Sequence, residues 1–141
     1  MKKLKFAKKK KLSVSKIKKK AWDMFSKWIR LKDADKDGYV TCYTCGKRSL
    51  WNRGMQAGHG IPGRNNSVLF DTDVVRVQCV GCNYFGHGQY KIFTNKLIEE
   101  LGSERFSNIL VADALPKKMT AVDYQAIYEA YRDLVKELEA L

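Results

Sequence analysis

The sequence predicts an α+β chain held together by a bound metal. Three observations predict it. Cys42-x-x-Cys45 and Cys79-x-x-Cys82 use all four cysteines of the chain. The residues between the pairs read as short strands and loops, with "MQAGHG" (55–60) and "VVRVQC" (74–79) as the strand candidates. On either side of the cysteine pairs the apolar residues recur at helical spacing. The 141 residues suit one domain with a modest core, and an apolar content of 45% argues against wholesale disorder.

The first twenty residues carry eleven lysines and no acid, and they account for nearly all of the net charge of +12. A block of this kind repels itself and is expected to stay disordered until it meets a polyanion. Nucleic acid phosphate is the natural partner, with Lys8, Lys9, Lys10, Lys11, Lys18, Lys19 and Lys20 as contacts. A solubilising or localisation role is the plainer reading of the same block. No apolar run is long enough for a membrane helix or resembles a secretory signal, so an intracellular, reducing compartment is expected, where paired cysteines hold metal.

From Ala21 to Lys32, Trp22, Phe25, Trp28 and Ile29 share a helical face and are expected to be core. A turn rich in Asp and Gly follows, then a strand near Tyr39–Cys42. "PGRNNS" (62–67) reads as a loop by composition. A helix becomes plausible after Cys82 and firm over 91–102, where Gly102 offers a C-cap, and a shorter one follows over Ser103–Val111. The last helix opens on a capping box, Thr120 with Asp123. Its stripe of Tyr124, Ile127, Tyr131, Leu134, Leu138 and Leu141 wants either the protein's own core or a second copy.

"DADKDGYVTCYTC" (33–45) overlays two metal signatures. Asp33, Asp35, Asp37 and Gly38 match the first half of a calcium loop, but Thr44 stands where a bidentate glutamate belongs. The acidic stretch is therefore read as a turn whose aspartates bond nearby amides. The cysteines are read as a four-thiolate zinc site. Four sulfurs leave no place for a reacting water, so this zinc would be structural and any catalysis needs other residues.

The chain has two histidines, His59 between the cysteine pairs and His87 after them. If the second pair opens a helix, Asn83 and His87 lie four apart on one face. His59, on a strand tied to that helix by zinc, would look onto the same face.

"CYTC", "AGHG", "FDTDVVRVQCVGCN" and "WIRLKDAD" resemble the phage NinG/Rap recombination-endonuclease family, over roughly Phe25 to Leu110. That family falls within the HNH, or His-Me finger, nucleases, related to endonuclease VII-type Holliday-junction resolvases. The resemblance implies a zinc-stapled ββα-metal finger with flanking helices and a C-terminal helix. It implies His59 as the general base and Asn83 as a ligand of a catalytic Mg²⁺ or Mn²⁺. Many members carry an aspartate ligand just before the base histidine, where this chain has Gly58. The missing ligand is then expected from Asp71, Asp73 or His87.

The organisation expected is a basic disordered tail (1–20), a zinc-clamped core (21–112) and a C-terminal amphipathic helix (113–141) for packing or homodimerisation. The function implied is metal-dependent hydrolysis of branched DNA, such as D-loops and Holliday junctions, in the cytoplasm of a phage host. Arg64, Arg76 and Lys91 are further phosphate candidates. The alternative is a zinc-stapled nucleic-acid-binding module without catalysis.

Overall fold

The computed structural model describes residues 11–141. Lys8, Lys9 and Lys10 lie outside the described residues. The architecture is α+β, five α-helices and two small antiparallel sheets among the described residues.

The first helix, α1, runs Val14–Leu31, seven residues ahead of where the apolar periodicity starts. Residues 14–20 of the basic tail expected to be disordered are helical. Lysine is a good helix former, and the charges find partners. Ser13 caps the first turn by accepting from the Lys16 amide. Lys19 pairs with Asp23 at 2.7 Å, one turn on. Lys18 donates to Asn66 at 3.2 Å, and Lys20 sits 4.3 Å over the Tyr128 ring. Ala21, Phe25 and Ile29 form the buried stripe.

Two hairpins follow. β1 (Tyr39–Thr41) pairs with β2 (Arg48–Leu50), and β3 (Met55–His59) pairs with β4 (Val75–Cys79). The acidic stretch ahead of β1 is a turn, as read from the sequence. Asp35 accepts from the Tyr39 and Asp37 amides, each at 2.9 Å, and from Arg48 at 2.7 Å. Those bonds, the Tyr39 amide foremost, hold its carboxyl below the usual range.

The "PGRNNS" loop ends in a short helix, α2 (Asn66–Leu69). After β4 the chain makes a π-helical turn, Gly81–Phe85, closed by a 2.7 Å bond from the Gly86 amide to the Gly81 carbonyl. α3 (Tyr90–Leu101) and α4 (Ser103–Ala114) meet at Gly102 (φ +86°), and α5 (Ala121–Glu139) opens on the capping box.

The main core joins α1, both hairpins, α3 and α4 through Phe25, Ile29, Val40, Val75, Val77, Phe93, Leu97 and Ile109. α5 lies along α1 of its own chain. Tyr131 meets Phe25 edge-on at 4.9 Å and Trp28 at 5.2 Å, Tyr124 is buried, and Lys27 reaches Glu139 at 2.8 Å. The C-terminal stripe is thus used within the chain, except Leu141, which is exposed.

Candidate functional site

The β3–β4 hairpin is shaped by two glycines that flank His59. A Cβ on Gly58 would stand 1.9 Å from Gln78 Oε1, and one on Gly60 would stand 2.2 Å from Leu97 Cδ1. Gln78 is fully buried; its amide donates to the Thr44 hydroxyl at 3.1 Å and the Gly88 carbonyl at 2.9 Å. It thereby ties the first cysteine pair to the loop after the second. The side chain that a ligand at 58 would need is displaced by this brace.

His59 ends β3 and is only 6% exposed. Its Nε2 lies 3.0 Å from the Leu69 carbonyl. A carbonyl only accepts, so Nε2 carries the proton and Nδ1 holds the lone pair. The ring stacks on Trp22 of α1 at 5.0 Å, and Arg64 lies 4.5 Å over the same indole. Burial pushes the imidazole pKa down to about 4; the Leu69 bond opposes this and the Arg64 charge adds to it.

His59 forms part of a cleft of about 420 Å³ between α1 and β3. Trp22, Ser26 and Arg30 line it from α1, with Gln56 and Ala57 from β3, Arg64, Asn83 and Tyr90. His59 and Asn83 therefore face one cavity. Asn83 comes from the π-helical turn, and its amide donates to Gln56 Oε1 at 2.8 Å. That bond fixes the amide so that Asn83 Oδ1 keeps its lone pairs.

The cleft wall holds two arginines and no acid. Arg30 is half-buried, and burial lowers its pKa against the pull of Asp23. It donates to the Ser26 and Trp51 carbonyls at 3.1 and 3.3 Å and lies 5.3 Å over the Trp51 ring. Among the described residues no carboxylate pairs with it. A cation taken from water without a counter-ion is costly, and an anion in the cleft would repay it.

Other sequence-stated candidates lie elsewhere. Asp73 pairs with Arg105 of α4 at 2.6 Å, and Asp71 Oδ1 accepts from the Asp73 amide at 2.9 Å. His87 is exposed in a left-handed turn (φ +54°), because the π-helical turn stops at Gly86. Asn83 and His87 thus share no helix face, which corrects the expectation built on an unbroken helix. None of the three lines the cleft. Arg76 is engaged with Glu100 at 3.1 Å, Lys91 is exposed at the start of α3, and Lys11 is exposed.

The four cysteine sulfurs lie within 4.8 Å of one another and can hold a metal ion. Cys45 and Cys79 are 3.7 Å apart. That is the edge of a tetrahedron with Zn–S near ~2.3 Å, far longer than a disulfide. Burial and the neighbouring thiols push Cys82 up to about 12. Burial also resists ionisation at Cys42, but bonds from Thr44 and backbone amides outweigh it and bring that thiol down to about 6. A soft thiolate donor set of this geometry fits zinc and leaves no open position.

Against protein families, residues 1–140 match the model described as the bacteriophage lambda NinG protein. The chain belongs to the NinG family. No curated protein and no solved structure matches it. Among the described residues of this NinG chain, no helix is long and apolar enough to cross a membrane.

Ser26, Arg30, Gln56 and Tyr90 line the cleft without having been read as site residues in the sequence. One signal bears on them. Residues 38–98 contain only two acids, Asp71 and Asp73, and neither lines the cleft. A basic and amide-rich wall follows from that composition.

The buried imidazole makes the stability of the NinG chain pH-dependent. The unfolded ring titrates near ~6.5, the folded one at about 4. Stability is full above the unfolded value and is lost as pH falls from there toward the folded value. Between pH 7.5 and 5 this is expected to cost about 2 kcal/mol. Urea unfolding midpoints across that range, for wild type and His59→Gln, check it. Equal slopes for the two proteins would remove His59 as the source.

Proposed function

We propose that the chain is an endonuclease that hydrolyses phosphodiesters in branched DNA during phage recombination, D-loops and Holliday junctions being its substrates. The observation that carries this reading is His59. Its imidazole is held neutral, with Nε2 fixed on the Leu69 carbonyl and Nδ1 as the lone-pair nitrogen, in a cleft lined by two arginines and no acid. Membership of the NinG family supports the recombination setting.

In this reading Nδ1 takes a proton from water, and the hydroxide attacks the phosphorus. The P–O bond to the 3′ oxygen breaks, leaving 5′-phosphate and 3′-hydroxyl ends, with the departing oxygen protonated by solvent. Arg30 and Arg64 neutralise the phosphate and orient it. A phosphate beside His59 raises the imidazole pKa again, toward the range useful to a general base. Lys11, Lys18, Lys19 and Lys20, on or beside α1, extend the phosphate-binding surface.

Asn83 Oδ1, with Gln56 beside it, is the donor that would hold Mg²⁺ or Mn²⁺, hard cations that take oxygen ligands. Such a cation supplies charge neutralisation at the phosphate. Without a lining carboxylate its shell depends on the oxygens of the DNA. Calorimetric titration of Mn²⁺ into the zinc-loaded, DNA-free protein is expected to give no binding tighter than roughly millimolar. A micromolar site would overturn that assignment.

The lack of a carboxylate also favours a second reading, a zinc-stapled module that binds nucleic acid and does not cut it. Purified protein incubated with end-labelled branched and linear DNA, with and without Mg²⁺, separates the two. Mg²⁺-dependent nicks at the branch are expected. Tight binding with no nick on any substrate would leave the binding module.

A further inference from the structure

The π-helical turn leaves two adjacent aromatic side chains in solvent. Tyr84 is 69% exposed and Phe85 72%. Their rings meet edge to face, with centroids 5.1 Å apart. They follow Asn83 directly, and Asn83 lines the cleft together with Tyr90, 37% exposed. We propose that Tyr84 and Phe85 form a stacking wedge at the cleft mouth that receives unpaired bases at a DNA branch point. The proposal rests on the reading that the cleft takes DNA, and it says how branched DNA is told from linear duplex.

Rigidity is the first argument. The turn is closed by bonds from the Gly86 amide to the Gly81 carbonyl at 2.7 Å and from the Gly88 amide to the Cys82 carbonyl at 2.9 Å. Cys82 is buried in the sulfur cluster, and a Cβ on Gly86 would meet the Gly81 and Cys82 carbonyls at 2.9 and 3.0 Å. The backbone that carries the two rings is thus fixed next to Asn83.

Charge is the second. Residues 74–98 contain no acid, and Lys91, exposed at the start of α3, is basic. A polyanion can approach this rim without repulsion.

Area is the third. Two aromatic side chains cover roughly 300–500 Å², well short of the ~800 Å² per partner of a stable protein interface. The patch is too small for a second copy and well suited to one or two bases. Both rings offer π faces, and such stacking tolerates any base. Fully paired duplex has its bases stacked already and gives the wedge nothing to receive.

The test uses the full chain carrying His59→Ala, so that binding is read without cleavage. The probes are a branched DNA with 2-aminopurine at the branch point and a linear duplex of the same length. Adding Tyr84→Ala and Phe85→Ala is expected to weaken branched-DNA binding about 10- to 100-fold. Linear-duplex affinity should stay within about twofold, and the salt slope should not change. Quenching of 2-aminopurine should be lost with the rings and kept in Tyr84→Phe. Both residues are exposed, so folding is spared, and one zinc per chain confirms it. Equal weakening on both DNAs, or none, overturns the wedge while the cleft reading stands. A parent protein that binds neither DNA overturns both. Concentration-dependent dimerisation that disappears with the rings assigns the patch to self-association instead.

Discussion

His59→Ala is expected to slow cleavage of branched DNA about 10³-fold, within the range that general bases contribute, with DNA affinity nearly unchanged. The argument is geometric. The imidazole is the one cleft-lining side chain suited to take a proton from water near neutral pH, since the arginines stay charged and the amides and hydroxyls are poor bases there. Truncation also removes the stack on Trp22 and leaves the Leu69 carbonyl unpaired, at a cost of about 1–3 kcal/mol. His59→Gln answers the concern that lost activity reflects lost fold. Its amide can keep a bond to Leu69 but cannot take a proton at neutral pH. Both variants should be inactive, and both should bind the junction. A variant cutting within about tenfold of wild type would remove His59 as the base.

Cys79→Ser is expected to lower the melting temperature by at least about 10 °C, given the folding free energy structural zinc sites supply. Zinc content should fall with it. β1 and β2 have three residues each, too few to hold together alone. What fastens them to the rest is the sulfur cluster, the Val40 core contact, the Tyr43 amide on Val77 at 2.8 Å and the Gln78 brace. Cys79 ends β4 opposite Met55, where the second hairpin meets the cluster. Removing its sulfur loosens both hairpins at once, and a chelator acting on wild type should do the same. One zinc per chain at an unchanged melting temperature would sink the staple.

Local rules carried most of the fold. The strand candidates at 55–60 and 74–79 correspond to β3 and β4, and the capping box at Thr120 and Asp123 gave the start of α5. The cysteine spacing alone brought residues 42, 45, 79 and 82 together. Local rules failed where a tertiary partner decided the outcome. The lysines before Ala21 read as self-repelling, yet Asp23, Asn66 and Tyr128 accept them and α1 starts at Val14. Gly58 read as a lost ligand, whereas Gln78 fills its space from the neighbouring strand. An unbroken helix would align Asn83 with His87, but the i to i+5 closure at Gly86 parts them. Arg30 gave no sign of its role, because only the fold turns it toward His59.

The continuity of α1 sets a length scale. Lys16 and Arg30 belong to one unbroken helix, which puts them about 21 Å apart at ~1.5 Å per residue. A DNA strand carries one phosphate every ~3.4 Å of axis, so the helix spans about six of them. In the proposed reading, a backbone gripped at the lysine end and threaded along α1 toward Arg30 would pass the histidine where it stacks on Trp22. The helix would then work as a ruler, and the spacing between its lysine and arginine grips would be a property of the helix.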